Sequence, residues 1–309
     1  MARTKTYQTK ELIALLNEYK IENPGMRVTI PKFGAYLRSK GYEIQDHTLR
    51  RDEKFRDCLQ KINDEEDSKN FNDLVTYKTI DVDSFVEKNN IDMNLYESQD
   101  YHSYNDFFTR TIKDGVRHID MDEKVLIAPC DSKLTVYPIE DTLQLKIKNS
   151  VYTIEDLLMS PSLADEYRGG LCLVFRLTVD DYHHYHFIDD GTADKDHFIK
   201  GVFHTVNPIA SDYYPIYKTN SRSYTVLHTK HFGDVVQMEV GAMMVGKITN
   251  LNKKTFKRGE EKGYFEFGGS TVVLFIKKDI VDIDEDILNI SKNEDEVRVL
   301  MGERIGTLK

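Results

Sequence analysis

The chain has 309 residues, of which 40% are hydrophobic and 30% charged, and its net charge is −10. This composition is typical of a folded protein with a sizeable core and excludes an extended disordered chain. The apolar runs are strand-sized, well short of the roughly 18 residues of a membrane-spanning helix, and the N-terminus lacks the apolar core of a secretory signal. We therefore expect no transmembrane segment. Three widely spaced cysteines form neither a disulfide framework nor a zinc pattern, which favours a reducing compartment.

Residues 1–63 differ in charge from the rest of the chain. They hold 13 Lys/Arg and 8 Asp/Glu, a balance of +5, so the remaining residues carry −15. Helical patterns follow one another at 10–20, 32–41 and 47–63, with Pro31 in a favourable first-turn position and Asp46 as the expected cap of the last. The sequence therefore predicts a basic helical module over 1–63, followed by an acidic linker over 64–79.

The charge pattern of this module bears on its partners. Two short helices joined by a tight turn look like a helix-turn-helix, and Arg50 and Arg51 give the second helix a basic face. Asp52, Glu53 and Asp57 interrupt that face. We therefore favour a small helical bundle, and the mixed charge argues against nucleic-acid binding.

From about residue 122 the pattern changes to short, β-branched and often alternating segments. Among these segments are KVLIAPC, SKLTVYPI, GLCLVFRLTV, DVVQMEV and STVVLFIKK. Helical patterns are sparse here, with one at 154–159 and a weak acidic one at 283–301. Because strands and helices do not alternate regularly, a doubly wound parallel sheet is not expected. The sequence predicts an α+β fold, in which a mainly antiparallel β domain over 80–309 follows the small N-terminal helical module.

Residues 268–271 read Gly-Gly-Ser-Thr between two apolar, strand-like segments. Gly268 and Gly269 permit unusual backbone angles and close approach by other groups, and Ser270 follows directly. Local sequence alone favours a tight hairpin at this place. No GxSxG pattern surrounds the serine, so an ordinary serine hydrolase is not supported.

Three histidines, His183, His184 and His186, lie within four positions of the segment RLTVDDYHHYHFIDDG. On a strand, His184 and His186 share one face and His183 points to the other. Two histidines at this spacing could bind a metal, but the motif offers no evident third ligand, so we expect no metal site. Histidine is the usual proton carrier near neutral pH, and this density favours a role in proton transfer.

A series of segments in fixed order now identifies a family. The segments are YNDFFTRTIKDGVRHID at 104–120, APCDSKLTVY at 128–137, LKIKNSVYTIEDLL at 145–158, GGLCLVFRLTVDDYHHYH at 169–186, VFHTVNPIA at 202–210, Asn220-Ser221-Arg222, VGAMMVGKI at 240–248 and YFEFGGSTVVLF at 264–275. Together they resemble the phosphatidylserine decarboxylases, which are pyruvoyl-dependent, self-processing enzymes. The resemblance covers roughly 80–309 and leaves residues 1–63 outside it.

The resemblance implies a self-cleavage triad of Asp131, His186 and Ser270. In that scheme His186 deprotonates the Ser270 hydroxyl, and Asp131 orients the imidazole and stabilises its charged form. Ser270 attacks the carbonyl of Gly269, and the chain is cut between Gly269 and Ser270. The products are a chain of 1–269 and a small chain of 270–309, which remains a partner of the large one and carries a pyruvoyl group derived from Ser270.

The resemblance also implies how that covalent pyruvoyl cofactor is used. Its carbonyl reacts with the substrate amine and accepts the electrons left when carbon dioxide departs, so no pyridoxal phosphate is needed. An acid must then protonate the substrate α-carbon, and the first histidine of the motif, His183, is the candidate. Position 184 is His where the family commonly has Arg, which bears on substrate details rather than on self-cleavage.

The implied reaction converts phosphatidylserine to phosphatidylethanolamine. Without a transmembrane span the protein is expected to be peripheral, on the cytoplasmic side of the cell membrane, with the basic module docking on anionic lipid. Two alternatives stay open at this point. The same chemistry could act on a soluble amino acid, or the module could be a nucleic-acid or protein-binding unit fused to a decarboxylase domain.

Overall fold

The computed structural model divides the chain into two compact units, 1–78 and 79–309. The residues it describes are 12, 13, 15, 16, 19, 28–42, 44–52, 55, 56, 59, 82–147, 150–201, 220–241, 248–266, 270–293 and 295–309. The whole of the predicted linker, 64–79, and Gly269 of the predicted cleavage site lie outside them. The predicted domain boundaries therefore remain predictions.

The N-terminal unit is helical, as its sequence pattern predicts. Helix α1 spans Ile30–Ser39, begins with Pro31 in its first turn and ends before Gly41, whose φ of 87° suits glycine. Buried side chains from successive segments form one core: Leu12, Leu16, Phe33, Leu37, Leu49 and Phe55.

The helix predicted over 47–63 is interrupted. Helix α2 spans only Asp46–Arg51, and its N-cap is Gln45 rather than Asp46. Asp52 has extended backbone angles, and its carboxylate accepts a hydrogen bond of 3.0 Å from the N–H of Phe55. Such a bond is typical of an N-cap, so Asp52 ends one helical segment and caps the next.

The second unit holds short helices around a large β-structure. Helix α3 is Val82–Asn89, α4 is Tyr104–Phe108, α5 is Ile154–Leu158, α6 is Pro161–Asp165 and α7 is Glu285–Ser291, with a 3₁₀ helix at Met93–Leu95. The pattern at 154–159 thus forms α5, which Thr153 caps by accepting from the N–H of Asp156 over 3.0 Å. The acidic pattern at 283–301 forms α7 and is followed, within the same range, by a strand at Val297–Val299. Within the described ranges, no helix is long and apolar enough to cross a membrane.

Every strand pairing among the described residues of this unit is antiparallel. The strands are β1 Val125–Ile127, β2 Ser132–Pro138, β3 Gln144–Ile147, β4 Ser150–Thr153, β5 Leu171–Leu177, β6 His184–His186, β7 Gly191–Ala193, β8 His197–Ile199, β9 Arg222–Thr229, β10 Asp234–Gly241, β11 Ile248–Asn250, β12 Thr255–Phe256, β13 Glu261–Phe265, β14 Ser270–Ile276, β15 Val281–Ile283, β16 Val297–Val299 and β17 Arg304–Leu308. The main sheet has the order β12-β7-β9-β10-β14-β5-β2-β16, and β8 also pairs with β9. Smaller sheets are β1-β17-β15, β11-β13-β6 and the hairpin β3-β4. The predicted α+β class with a mainly antiparallel sheet is confirmed.

The core lies on both faces of the main sheet. Val272 and Leu274 of β14 belong to one buried cluster, whereas Val273 and Phe275 belong to another on the opposite face. This explains why the sequence of β14 is a continuous apolar run rather than an alternating one. Strands β6 and β13 contribute Tyr185 and Phe265 to the first cluster, which fixes the small sheet beside β14.

Candidate active site

Ser270 is the first residue of β14 and is buried between two neighbouring strands. It lies opposite Gly241 of β10 and Leu177 of β5. Only 1% of the residue is exposed, and its Oγ has no hydrogen-bond partner within the described part of the chain. A buried hydroxyl without a partner costs stability, which makes Ser270 a candidate for a chemical role.

The strands that flank the Gly-Gly-Ser-Thr segment belong to different sheets. β13 pairs with β6 and β11, whereas β14 pairs with β10 and β5. The tight hairpin favoured by local sequence is therefore wrong. The chain instead passes from one sheet to another between residues 266 and 270, and only the tertiary pairing of two apolar strands decides between these outcomes.

His186 ends β6, where its backbone N–H donates to the carbonyl of Pro129 over 2.8 Å. Its ring is buried, and Nδ1 finds no partner among the residues described. Burial lowers the pKa of His186 to about 4, although the negative charges of Glu261 and Asp131 oppose that shift. His186 is therefore neutral at pH 7 and can accept a proton.

Asp131 lies buried at the turn between β1 and β2. Its carboxylate accepts from Arg117 Nε at 2.9 Å, from Arg117 Nη2 at 2.5 Å and from the N–H of Met301 at 2.9 Å. Because Nδ1 of His186 is unpartnered, this carboxylate is not bonded to that nitrogen in the uncut chain. Asp131 is close enough for its charge to raise the pKa of His186, but its hydrogen bonds go to Arg117 and the backbone.

Sequence reasoning did not single out Arg117. The residue lies within the matching segment 104–120, but a lone arginine beside acidic residues has no pattern that separates it from a surface residue. Asp131 raises the pKa of Arg117, chiefly through the hydrogen bonds between them. The pair fixes the Asp131 carboxylate directly before β2.

His183 lies immediately before β6 and is fully enclosed. Its ring centroid is 3.7 Å from that of Phe108, and Nδ1 lies 3.0 Å from the carbonyl oxygen of Asp181. A carbonyl can only accept, so Nδ1 carries the hydrogen and Nε2 carries the lone pair. Burial, followed by the charge of Arg110, lowers the pKa of His183 well below its usual value.

Arg110 is a second functional candidate that the sequence pattern did not reveal. Its guanidinium is buried, and Nη2 donates to the carbonyl of Asp181 at 3.1 Å and to Tyr96 Oη at 3.3 Å. The cation also lies 4.4 Å from the centre of the Tyr96 ring. The same Asp181 carbonyl accepts from Arg110 and from His183, so Arg110 fixes the turn that presents the imidazole.

The contacts of His184 are those of a residue that holds two strands together. Its Nδ1 lies 3.0 Å from the Glu261 carboxylate, and its ring stacks on Tyr182 with centroids 4.5 Å apart. Within the described ranges, no group of three His, Cys, Asp or Glu side chains is placed to hold a metal ion. His184 therefore helps to join β6 to β13.

Strand pairing links the start of the histidine motif to the strand that contains Ser270. Leu177, at the end of β5, lies opposite Ser270, and the following turn leads directly to His183. The N–H of Phe265, at the end of β13, donates to the carbonyl of His183 over 3.0 Å. Residues distant in sequence thus meet at one end of β5, β13 and β14.

Comparisons with known proteins identify the family of the chain. A profile described as phosphatidylserine decarboxylase matches residues 104–307. The phosphatidylserine decarboxylase proenzyme 2 of Clostridium acetobutylicum is 52% identical over 225 residues, which cover 73% of this chain and 77% of that protein. The phosphatidylserine decarboxylase proenzyme of Clostridium botulinum strain Kyoto is 44% identical over 74% of this chain and 79% of its own length. That of Clostridium tetani is 43% identical, with the same two shares.

Proposed function

The chain belongs to the phosphatidylserine decarboxylase family and is a carboxy-lyase that converts phosphatidylserine to phosphatidylethanolamine, and we propose that Ser270 is the residue that becomes its reactive group. The observation that carries the proposal is the buried, unpartnered Oγ of Ser270 at the start of β14. A neutral, buried His186 offers the base that this hydroxyl needs.

The site fits a pyruvoyl group made from this serine. Conversion would remove the hydroxyl that lacks a partner, at a position that Gly241 and Leu177 flank in the uncut chain. When formed, the pyruvoyl carbonyl supplies the electron-accepting chemistry that decarboxylation of an amino acid requires. The other steps fall to side chains of the chain itself.

Self-cleavage begins when His186 takes the proton of the Ser270 hydroxyl. The oxygen attacks the carbonyl carbon of Gly269, and the acyl group moves from nitrogen to oxygen, giving an ester. Loss of the α-proton of Ser270 then expels the Gly269 carboxylate. Addition of one water releases one ammonia and leaves a ketone at position 270. Asp131, held by Arg117, supplies a negative charge that stabilises protonated His186 during the first step.

In the decarboxylation, His183 holds and moves a proton at Nε2. Its Nδ1–H is committed to the Asp181 carbonyl, and the buried ring is neutral, so it begins as a base. The substrate amine is charged in water and must lose a proton before it can react. We assign that proton to His183 Nε2, from which it is delivered to the substrate α-carbon after carbon dioxide leaves.

The experiment that tests the proposal is the intact mass of the purified protein. We expect two chains, 1–269 and 270–309, with the small one lighter than the unmodified peptide by one ammonia. Ser270→Ala should remain a single inactive chain, and Thr271→Ala, which changes the adjacent buried hydroxyl, should still be cut. Full decarboxylase activity in an uncut chain would refute the assignment.

The substrate is a lipid, so the enzyme must work at a membrane surface. We propose that it is peripheral there and that the basic module, with its balance of +5, contributes electrostatic attraction. Decarboxylation of phosphatidylserine in vesicles, compared with free serine, tests the substrate. Equal rates on both would point to the soluble amino acid instead.

A further inference from the structure

The triplet Asn220-Ser221-Arg222, one of the segments by which the sequence resembles its family, lies at the start of β9. All three residues are buried, with at most 3% of each exposed. None of them belongs to the proposed triad, and none is the proposed acid of the decarboxylation. Buried polar side chains cost free energy unless they are hydrogen-bonded, so their contacts indicate what the triplet does.

Arg222 anchors the triplet to helix α5. Its Nε donates to the carbonyl of Leu157 at 2.8 Å, and its Nη2 donates to that of Asp156 at 2.8 Å. Both carbonyls lie near the C-terminal end of α5, where helix carbonyls lack partners within the helix. Nη1 of Arg222 donates to the carbonyl of Asn220 at 3.0 Å. One buried guanidinium therefore fixes the backbone of Asn220 relative to α5.

Asn220 reaches from this anchor to β10. Its Nδ2 donates to the carbonyl of Gly241 over 2.7 Å, and the N–H of Gly241 donates to the carbonyl of Ser221 over 2.9 Å. A carbonyl oxygen can only accept, so the amide nitrogen of Asn220 is the atom that faces Gly241. The pairing of β9 with β10 ends with Val240 opposite Arg222. The Asn220 side chain therefore holds the next residue of β10.

These bonds determine how Gly241 faces Ser270. The N–H and C=O groups of one strand residue point towards the same neighbouring strand, so the bonds of Gly241 to Ser221 and Asn220 turn it towards β9. Gly241 therefore lies opposite Ser270 as a non-hydrogen-bonded pair, in which two Cα atoms are about 4.5 Å apart. The backbone groups of Ser270 point instead towards Leu177 of β5. The close approach of Gly241 thus depends on what holds it from the β9 side.

Residue 241 is a glycine, which matters because of this close approach. Side chains of directly opposite residues lie on the same face of a sheet, with Cβ atoms about 4.5–5.5 Å apart. A side chain at 241 would therefore lie next to the Oγ of Ser270, whereas Gly241 places none there. The Oγ has no hydrogen-bond partner within the part of the chain that the structure describes, and it must move to attack the carbonyl of Gly269.

From these contacts we infer that Asn220 is a positioning residue for self-cleavage. Its amide holds Gly241 so that residue 270 has a glycine, and no side chain, at a fixed short distance on the β10 side. Arg222 serves the same end, because it fixes the backbone of Asn220. The inference rests on the proposed cut at Ser270 and assigns a task to a residue outside the proposed triad.

The test is the rate at which the freshly synthesised full chain is cut, followed on a denaturing gel. Asn220→Ala removes the donor and should slow cutting about tenfold, the loss expected when one hydrogen bond no longer fixes the reacting geometry. Asn220→Asp keeps the size of the side chain but puts an oxygen in place of the amide nitrogen, so it should slow cutting at least as much. A role in packing alone would survive in Asn220→Asp, and a wild-type rate in that variant would overturn the inference.

A matched control comes from Asn89 of α3. Its Nδ2 also donates to a backbone carbonyl, that of Phe85, over 2.8 Å. Asn89→Ala removes an equivalent bond and should be cut at the wild-type rate. Thermal unfolding of each variant in a Ser270→Ala chain, which stays uncut, measures the cost to stability. If Asn89→Ala slowed cutting as much as Asn220→Ala at an equal loss of stability, the effect would be a general one and the inference would be wrong.

A double-mutant cycle tests whether Asn220 acts through Gly241. Gly241→Ala places a methyl group beside residue 270 and should itself slow cutting. Because both changes alter the same neighbour of Ser270, Asn220→Ala should slow a Gly241→Ala chain by much less than tenfold. Full multiplication of the two effects would show independent roles and overturn the inference. Cutting of the wild-type chain at a bond other than Gly269–Ser270 would instead overturn the proposed function, and this inference with it.

Discussion

At the scale of single residues, the site depends on histidines that are kept neutral by burial. His183 and His186 both have pKa values lowered mainly by desolvation, but their surroundings differ. His183 donates from Nδ1 to a carbonyl, whereas Nδ1 of His186 lacks a partner among the described residues. These environments suit two different tasks, one on the substrate and one on Ser270.

This difference predicts that the two histidines separate self-cleavage from decarboxylation. We expect His186→Gln to slow cutting by at least about 100-fold, because a positioned general base contributes that much or more. His183→Gln should be cut normally and then decarboxylate at least about 100-fold more slowly. Gel analysis of processing and a carbon dioxide assay measure the two effects, with His102→Gln, at an exposed position, as the control. Normal cutting in His186→Gln would show that another group is the base.

The lowered pKa of His186 also predicts the pH dependence of self-cleavage. Its base form persists down to about pH 4, so the rate of cutting in a freshly synthesised chain should change little between pH 8 and pH 5. If the base were an ordinary histidine, with a pKa near 6.5, the rate of cutting would fall more than tenfold over that range. Such a loss in the measured profile would contradict a buried base.

The same shift has a consequence for stability. The pKa of His186 is lower in the folded chain than in the unfolded one. The free energy of unfolding that the neutral ring contributes is therefore fully present above about pH 6.5. That contribution is lost as the pH falls through about 4. Circular dichroism at each pH of the cleavage profile therefore distinguishes a titrated base from an unfolded protein.

At the scale of elements, the proposed cut falls between strands of two different sheets. Residues 270–309 contain β14, which lies between β10 and β5 in the main sheet. They also contain β16, which pairs with β2, and β17, which pairs with β1. The small chain is therefore hydrogen-bonded to the large one in two sheets, and its apolar residues belong to the same core.

This arrangement predicts that the chains stay together after cleavage. The processed enzyme should elute as one species in size-exclusion chromatography and separate into 1–269 and 270–309 only in denaturant. Leu274→Ala, which removes buried apolar volume from β14, should destabilise the complex by about 2–5 kcal/mol. Val179→Ala, at a partly exposed position, should cost much less. Dissociation of the wild-type chains in native buffer would contradict the shared core.

At the scale of the whole molecule, all the residues assigned to chemistry belong to the second compact unit. Asp131, His183, His186 and Ser270 lie within 79–309, and so does Arg117. The N-terminal unit has a buried core of its own. The contribution of each unit to self-cleavage and to vesicle binding can thus be measured separately.

We predict that residues 1–63 are dispensable for self-cleavage. A chain that begins at residue 64 should fold and be cut to the same extent as the full chain, because its core and reactive groups remain. Its binding to anionic vesicles should weaken by the share that the module contributes, and this share should fall as salt rises, since exposed charges are screened over about 10 Å at 0.1 M. The processing ratio and the sedimented fraction can be read from one gel. Loss of cutting would show that the module supports the catalytic unit.

From the sequence alone the fold class and the family can be predicted, and both are confirmed, whereas the site residues it suggests stay predictions. Apolar alternation predicts antiparallel strands from local periodicity alone, and the order of segments from 104 to 275 identifies the family without coordinates. The positions of Ser270 and of the histidine motif follow from the same match. These features are local in the chain, which is why the sequence reveals them.

Only the tertiary structure decided what surrounds those residues. Residues 268–271 look like a hairpin, but long-range pairing places β13 and β14 in different sheets. The partners of the Asp131 carboxylate, Arg117 and the backbone of Met301, come from distant parts of the chain. Burial, which makes His186 neutral, depends on packing by elements that no local pattern specifies. Such contacts join residues far apart in sequence, so they form only when the chain is folded and cannot be predicted from a local pattern.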